Sequence, residues 1–123
     1  MDLLWLCIAG AGGTVSRYLL SGFVQRISGA GFPWGTFAVN IIGAFLFGLV
    51  WSLSEERLLI SGHTRLIVLG GFMGAFTTFS TFMFETGQLL RDAQWGLAAG
   101  NLMLQIVTGI IVLFLGLALG RLV

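Results

Sequence analysis

"GGFMGAFTTFSTFMFET", residues 70–86, sets hydroxyl side chains and one carboxylate among phenylalanines. The chain around it is apolar enough for lipid, so the polar groups need a purpose. A helix inside a bilayer has no water to satisfy a broken backbone hydrogen bond, and only neighbouring protein groups or a water-lined cavity can do so. The glycine-rich run "GGFMGAF" weakens the helix here. Thr77, Thr78, Ser80 and Thr81 then supply replacement hydroxyls. The stretch predicts a membrane helix broken at depth and buried in protein. Carbonyls released by such a break can bind a cation, as the unwound helices of transporters do.

Working outward, the composition places this segment in a membrane protein. Of 123 residues, 57% are hydrophobic and 9% charged, with no lysine; the mean hydropathy is +1.00. A soluble domain carries about a quarter charged residues. The formal charge of +1 excludes a strong polyelectrolyte partner, and nothing in the pattern points to nucleic acid. Cys7 stands alone in an apolar run, without disulfide or metal-ligand spacing, and reads as a small buried hydrophobe. The opening "MDLLWLCIAGAGG" lacks the basic start of a secretory signal and stays apolar too long, so it is expected to be a retained first span.

Four stretches reach the roughly 20 apolar residues that a spanning helix needs. They run from Leu3 to Val24, Trp34 to Leu53, Leu66 to Leu90 and Trp95 to Leu119. The intervening segments "QRISGAGFP", "SEERLLISGHTR" and "RDAQ" are short, which makes successive spans antiparallel. The expected fold is therefore an all-α membrane protein: one domain over residues 1–123, four transmembrane helices, the third broken. Trp5, Trp34, Trp51 and Trp95 fall near span ends, where indole rings anchor at the headgroups. Among 19 glycines, the pairs Gly70/Gly74, Gly96/Gly100 and Gly116/Gly120 are spaced for close helix contact.

With four spans, Arg57, Arg65 and Arg121 lie on one side of the membrane, while Arg26 and Arg91 lie on the other, with Arg17 near it. So even a balance gives almost no orientation preference. Such a chain can insert both ways up, and two copies can pair antiparallel, supplying the inverted symmetry that larger transporters build from internal repeats. Four helices are too few to enclose a polar path, which points to at least a homodimer.

Ionisable and amide groups inside a span are costly and ask for a reason. Arg17, close to a span end, reads either as a side chain reaching the interface or as a fixed cation at the mouth of a path. Asn40 either bonds a neighbouring helix or turns its NH2 toward an anion. Glu85, the sole acidic residue within a span, serves either a proton carrier or a local hydrogen bond with Thr81 or Thr86. Asn101, Gln105 and Thr108 put further polar groups on the fourth span. Phe76, Phe79 and Phe82 recur every three residues, so Phe79 and Phe82 are expected to stack on one face. Such a stripe is ordinarily packing, but ring edges alternating with hydroxyls can face a small anion and repel cations. His63 reads as a loop residue without a second metal ligand, and no nucleophile, base and orienter occur together, which argues against an enzyme.

The runs "GFMGAFTTFSTFMFET", "PWGTFAVNIIGAFLFG" and "GAGGTVSRYLL" closely resemble the Fluc/CrcB fluoride channels of bacteria and archaea, and the likeness covers the whole chain in length, span number and motif order. The resemblance implies a passive fluoride-selective channel in the plasma (inner) membrane. It also implies an antiparallel dual-topology homodimer with two pores and a structural sodium ion (Na+) at its centre. On this basis the ion pathway comprises Asn40, Phe79, Phe82, Ser80, Thr81 and Glu85, with Arg17 in a vestibule and carbonyls of Gly74 and Thr77 on sodium. One departure is Ala75, where many members carry a second glycine. The competing class is a small proton-coupled multidrug-type exporter, which typically needs a carboxylate in the first span; none is present there. A non-transporting membrane assembly protein would leave the polar third span unexplained.

Overall fold

The computed structural model describes residues 2–123. Helix α1 (Asp2–Ser28) ends where Gly29 takes a left-handed φ of 89°. Gln25, in its last turns, organises the loop that follows: its Nε2 donates to the carbonyl of Phe32 at 2.9 Å and its Oε1 accepts the Gly35 N–H at 3.0 Å. That second bond caps α2 (Trp34–Trp51), whose own N-cap, Pro33, has no side-chain donor or acceptor to offer. The helix runs on in widened π turns over Ser52–Glu56 and stops before Leu58, which adopts φ 57°.

The third span starts at Gly62, because the Ser61 hydroxyl accepts the Thr64 N–H at 3.1 Å as an N-cap. It rises as Gly62–Arg65, π-helical Leu66–Met73 and Gly74–Phe76, together α3 (62–76). The helix then breaks over residues 77–79 and resumes as α4 (Ser80–Arg91). A tight turn through Ala93, φ 59°, leads to α5 (Trp95–Leu122). The expected spans are all present and longer than hydropathy drew them. All four are long and apolar enough to cross a membrane.

The register follows from the closest backbone approaches. On α2 and α5, Asn40 faces Gln105, Gly48 faces Leu113 and Gly120 faces Ser52, so these helices run parallel along the main seam. A Cβ at Gly48 or Gly116 would collide with the main-chain oxygen of Leu113 or Phe45. Glycine lets the two backbones touch, the contact favoured where lipid supplies no hydrophobic drive between helices. Helices α1 and α3 are parallel likewise: Gly71 lies against Leu6 and Ala9, and Gly13 against Phe72 and Ala75. Of the glycine pairs marked by spacing, Gly116/Gly120 packs against α2, whereas Gly96 and Gly100 have no other side chain or helix within 4 Å.

The core, Val39, Leu69, Met73 and Phe76, sits between α2 and α3 just before the break. One end of the bundle is laced by side-chain contacts: His63 Nδ1 lies 3.1 Å from Asp2 Oδ1, and ion pairs join Arg121 to Glu56 at 2.5 Å and Arg65 to Glu55. Arg65 also lies over the Trp51 ring, 4.8 Å from its centroid. His63, expected as an exposed loop residue, is exposed but lies in the first turn of α3 and meets the start of α1; Cys7, expected to be buried, is exposed in the single chain. Acids and bases match at this end, with Asp2, Glu55 and Glu56 against Arg57, Arg65 and Arg121. The charge balance seen in the sequence is therefore also met locally.

Candidate functional site

The break is held by side chains from three other helices. Asn40, on α2, engages one peptide unit from both sides: its Oδ1 accepts the Thr78 N–H at 2.8 Å and its Nδ2 donates to the Thr78 carbonyl at 3.0 Å. The same Nδ2 donates to Gln105 Oε1 on α5 at 2.8 Å. Both amide hydrogens of Asn40 thus have protein acceptors. Within one chain the interhelical reading of Asn40 is the one realised, and its partner is main chain rather than another side chain alone.

Arg17, on α1, donates from Nε to the Ala75 carbonyl at 3.0 Å. A guanidinium thus caps the C-terminal end of α3, where the helix dipole favours a cation. Thr77 turns its hydroxyl back onto the Met73 carbonyl at 3.0 Å, and its extended backbone, φ −90° and ψ 161°, ends α3. Gly43, on α2, makes room for it, since a Cβ there would run into Thr77 Cγ2. On the far side of the break, the Thr78 hydroxyl accepts the Thr81 N–H at 3.3 Å and donates to Thr81 Oγ1 at 3.0 Å, starting α4.

These substitutions release particular carbonyls. In an unbroken helix Gly74 and Thr77 would accept from the amides four residues on, those of Thr78 and Thr81. Both amides are instead taken by Asn40 Oδ1 and Thr78 Oγ1. The oxygens of Gly74 and Thr77 are left as hard, neutral ligands of the kind that coordinate sodium at helix breaks. Among the described residues no cluster of His, Cys, Asp or Glu could hold a metal, so any such ion would rest on carbonyls.

Beside the break lies an open cavity of about 450 Å³, lined by Asn40, Gly43, Thr77, Phe79, Phe82 and Gln105 with apolar side chains of α2, α3 and α5. Phe82 is buried at 6% exposure and Phe79 projects at 74%. Their centroids are 6.4 Å apart and the rings 79° inclined. The expected stack is thus an edge-to-face pair, with Phe79 as the N-cap of α4 and Phe82 in its first turn. The face carrying Gly74, Phe79 and Ser80 is exposed in the single chain.

Glu85 does not join this cavity. It lines a second one of about 630 Å³ with Gln25, Phe32, Gln88 and Asp92, and its Oε1 is buried without a hydrogen-bond partner. Neither Thr81 nor Thr86 serves it: Thr81 is bonded to Thr78, and the Thr86 hydroxyl donates to the Phe82 carbonyl at 2.8 Å. Asn101 Nδ2 donates to Thr86 Oγ1 at 2.9 Å, and Gln105 Nε2 to Asn101 Oδ1 at 3.1 Å. Asn101 and Gln105, polar residues of the fourth span visible in the sequence but without an assigned role there, thereby join the break. Thr78 supplies the replacement hydroxyl expected of it, to the Thr81 N–H; what sequence reasoning missed is the part played by its peptide group, which every residue has.

Four apolar helices, one of them broken beside a largely apolar, phenylalanine-lined cavity, define a small multi-pass membrane protein. Residues 4–117 match a family model described as CrcB-like protein, Camphor Resistance (CrcB), and the chain belongs to this family. It is 59% identical over 121 residues, 98% of this chain and 97% of the relative, to a protein of Nitrosococcus oceani named fluoride-specific ion channel FluC. Proteins of the same name from Solidesulfovibrio magneticus and Magnetococcus marinus are 54% identical over 97% of this chain and 42% identical over 100% of it; they span 95% and 100% of the relatives. These relatives are bacterial channels, not enzymes, and the chain is a bacterial multi-pass membrane protein.

Proposed function

We propose that the protein is a fluoride-selective passive channel of the inner membrane, built as an antiparallel dual-topology homodimer with two pores. The broken third span, with its phenylalanine-lined cavity, carries the reading: this is the arrangement a chain 59% identical to a fluoride-specific channel would use as its path. Fluoride enters acidified cells as HF and is trapped as the ion at neutral pH, so a passive exit suffices where the interior is electrically negative. The difficult step is dehydration. A selective path must replace water with donors of matched strength without holding the ion.

Ring edges of Phe79 and Phe82 carry partial positive charge, and the hydroxyls of Ser80 and Thr81 add donors. Asn40 acts by holding the Thr78 peptide at the cavity wall. Glu85 belongs to the neighbouring cavity as its acidic boundary, and Arg17 keeps a positive charge at the end of α3. Pairing of two copies is supported by the exposed Gly74, Phe79 and Ser80, which a second copy would cover, and by the even charge balance. A sodium ion on the Gly74 and Thr77 carbonyls would bind the two breaks to each other when present.

The test is fluoride release from proteoliposomes, read with a fluoride electrode in the presence of a potassium ionophore and repeated with chloride. Rapid fluoride and scant chloride release without a pH gradient is the expected result. Release that requires a proton gradient, or none from folded protein, overturns it.

A further inference from the structure

One continuous hydrogen-bond chain leaves the break and returns to the same span one turn beyond it. The Thr78 N–H donates to Asn40, Asn40 to Gln105, Gln105 to Asn101, Asn101 to Thr86, and Thr86 to the Phe82 carbonyl. Each step is 2.8 to 3.1 Å and every donor points the same way. A single peptide group fixes this direction. The Thr78 N–H can face only the oxygen of Asn40, which aims the Asn40 NH2 at a Gln105 oxygen, and so on along the chain. Linked donors of one sense polarise one another in a low-dielectric interior.

Asn101 sits in the middle with 0% exposure and is not among the residues lining the phenylalanine cavity. We propose that Asn101 is a positioning residue for the conduction path: through Gln105 and Asn40 it holds the Thr78 peptide, and through Thr86 it holds the first turn of α4 that carries Phe82. It fixes the two sides of the break relative to each other from α5, without touching the ion. The inference rests on the channel reading above.

The test compares the wild-type dimer with Asn101→Leu, which keeps the volume and removes the amide. Two readouts are taken, fluoride release and amide hydrogen exchange of the peptide covering residues 74–82. The expected result is release slowed between about tenfold and about a hundredfold, as when outer partners of other sites are removed, with faster exchange at Thr78. A folded Asn101→Leu dimer with wild-type release, or with slowed release and unchanged exchange, overturns the proposal. Should that variant fail to assemble, Thr86→Val interrupts the same chain at its last side chain with little change of shape, and its results are judged in the same way. A wild-type protein that releases no fluoride sinks the channel reading instead; the exchange comparison still decides whether Asn101 holds the break.

Discussion

Replacing Asn40 by leucine keeps the side-chain bulk and removes three hydrogen bonds at once, two to the Thr78 peptide and one to Gln105. Side-chain hydrogen bonds between membrane helices average about 0.6 kcal/mol each, so the bonds alone amount to about 2 kcal/mol. The N–H and C=O of Thr78 also lose their partner, and an unsatisfied buried group costs roughly 1 to 3 kcal/mol. Thr78 is half-buried beside an open cavity, so water recovers part of this. The expected loss is about 2 to 4 kcal/mol. Even the lower figure shifts the balance between a held and a released break by about thirtyfold. Equilibrium unfolding in detergent measures the loss, and proteoliposome efflux measures its effect on the path. Stability within about 0.5 kcal/mol of wild type, the range of an inconsequential surface change, would refute the argument that Asn40 holds the Thr78 peptide.

Phe79→Ile and Phe82→Ile should both abolish most fluoride flux, but only Phe82→Ile should also lower the stability of the chain, since Phe82 is buried and Phe79 is not; wild-type flux in both would remove these rings from the pathway. Gly48→Ala pushes a methyl into the Leu113 carbonyl and should destabilise the α2–α5 seam by roughly 1 to 3 kcal/mol. Gly100→Ala meets nothing in the chain and should leave subunit unfolding unchanged; equal melting of the two variants would contradict the seam. Exchanging sodium for a bulky organic cation during purification should reduce flux while leaving the helix content of each subunit intact by circular dichroism. Unaltered flux would release the Gly74 and Thr77 carbonyls from a cation-binding role.

What could be seen in the sequence divides along physical lines. The four spans were legible because bilayer thickness sets their length. Their ends were not: "SLSEE" is too polar for a hydropathy boundary, yet it continues α2 because Glu55 and Glu56 find Arg65 and Arg121. The break announced itself through glycines followed by hydroxyls, a local signature. The partners of Asn40 and Arg17 depend on the register between helices 38 and 58 positions apart, which no single helix records. At Gly96 and Gly100 the same spacing meets no other helix within the chain, since a close approach needs a backbone on the other side. The spacing of Phe79 and Phe82 placed both rings at one cavity, but their edge-to-face inclination depends on side-chain torsions that a spacing does not record.

In the two-pore homodimer proposed above, the bonds that Arg17, Asn40 and Thr86 make at the break lie within each copy. A defect there is consequently private to the copy that carries it. Mixing altered with intact subunits would yield pairs in which one route still works, so total flux would fall linearly with the altered fraction rather than following the square of the intact fraction. Selection would then act on each copy separately, and a cell producing both versions would lose fluoride tolerance gradually, without the abrupt collapse of a shared pore.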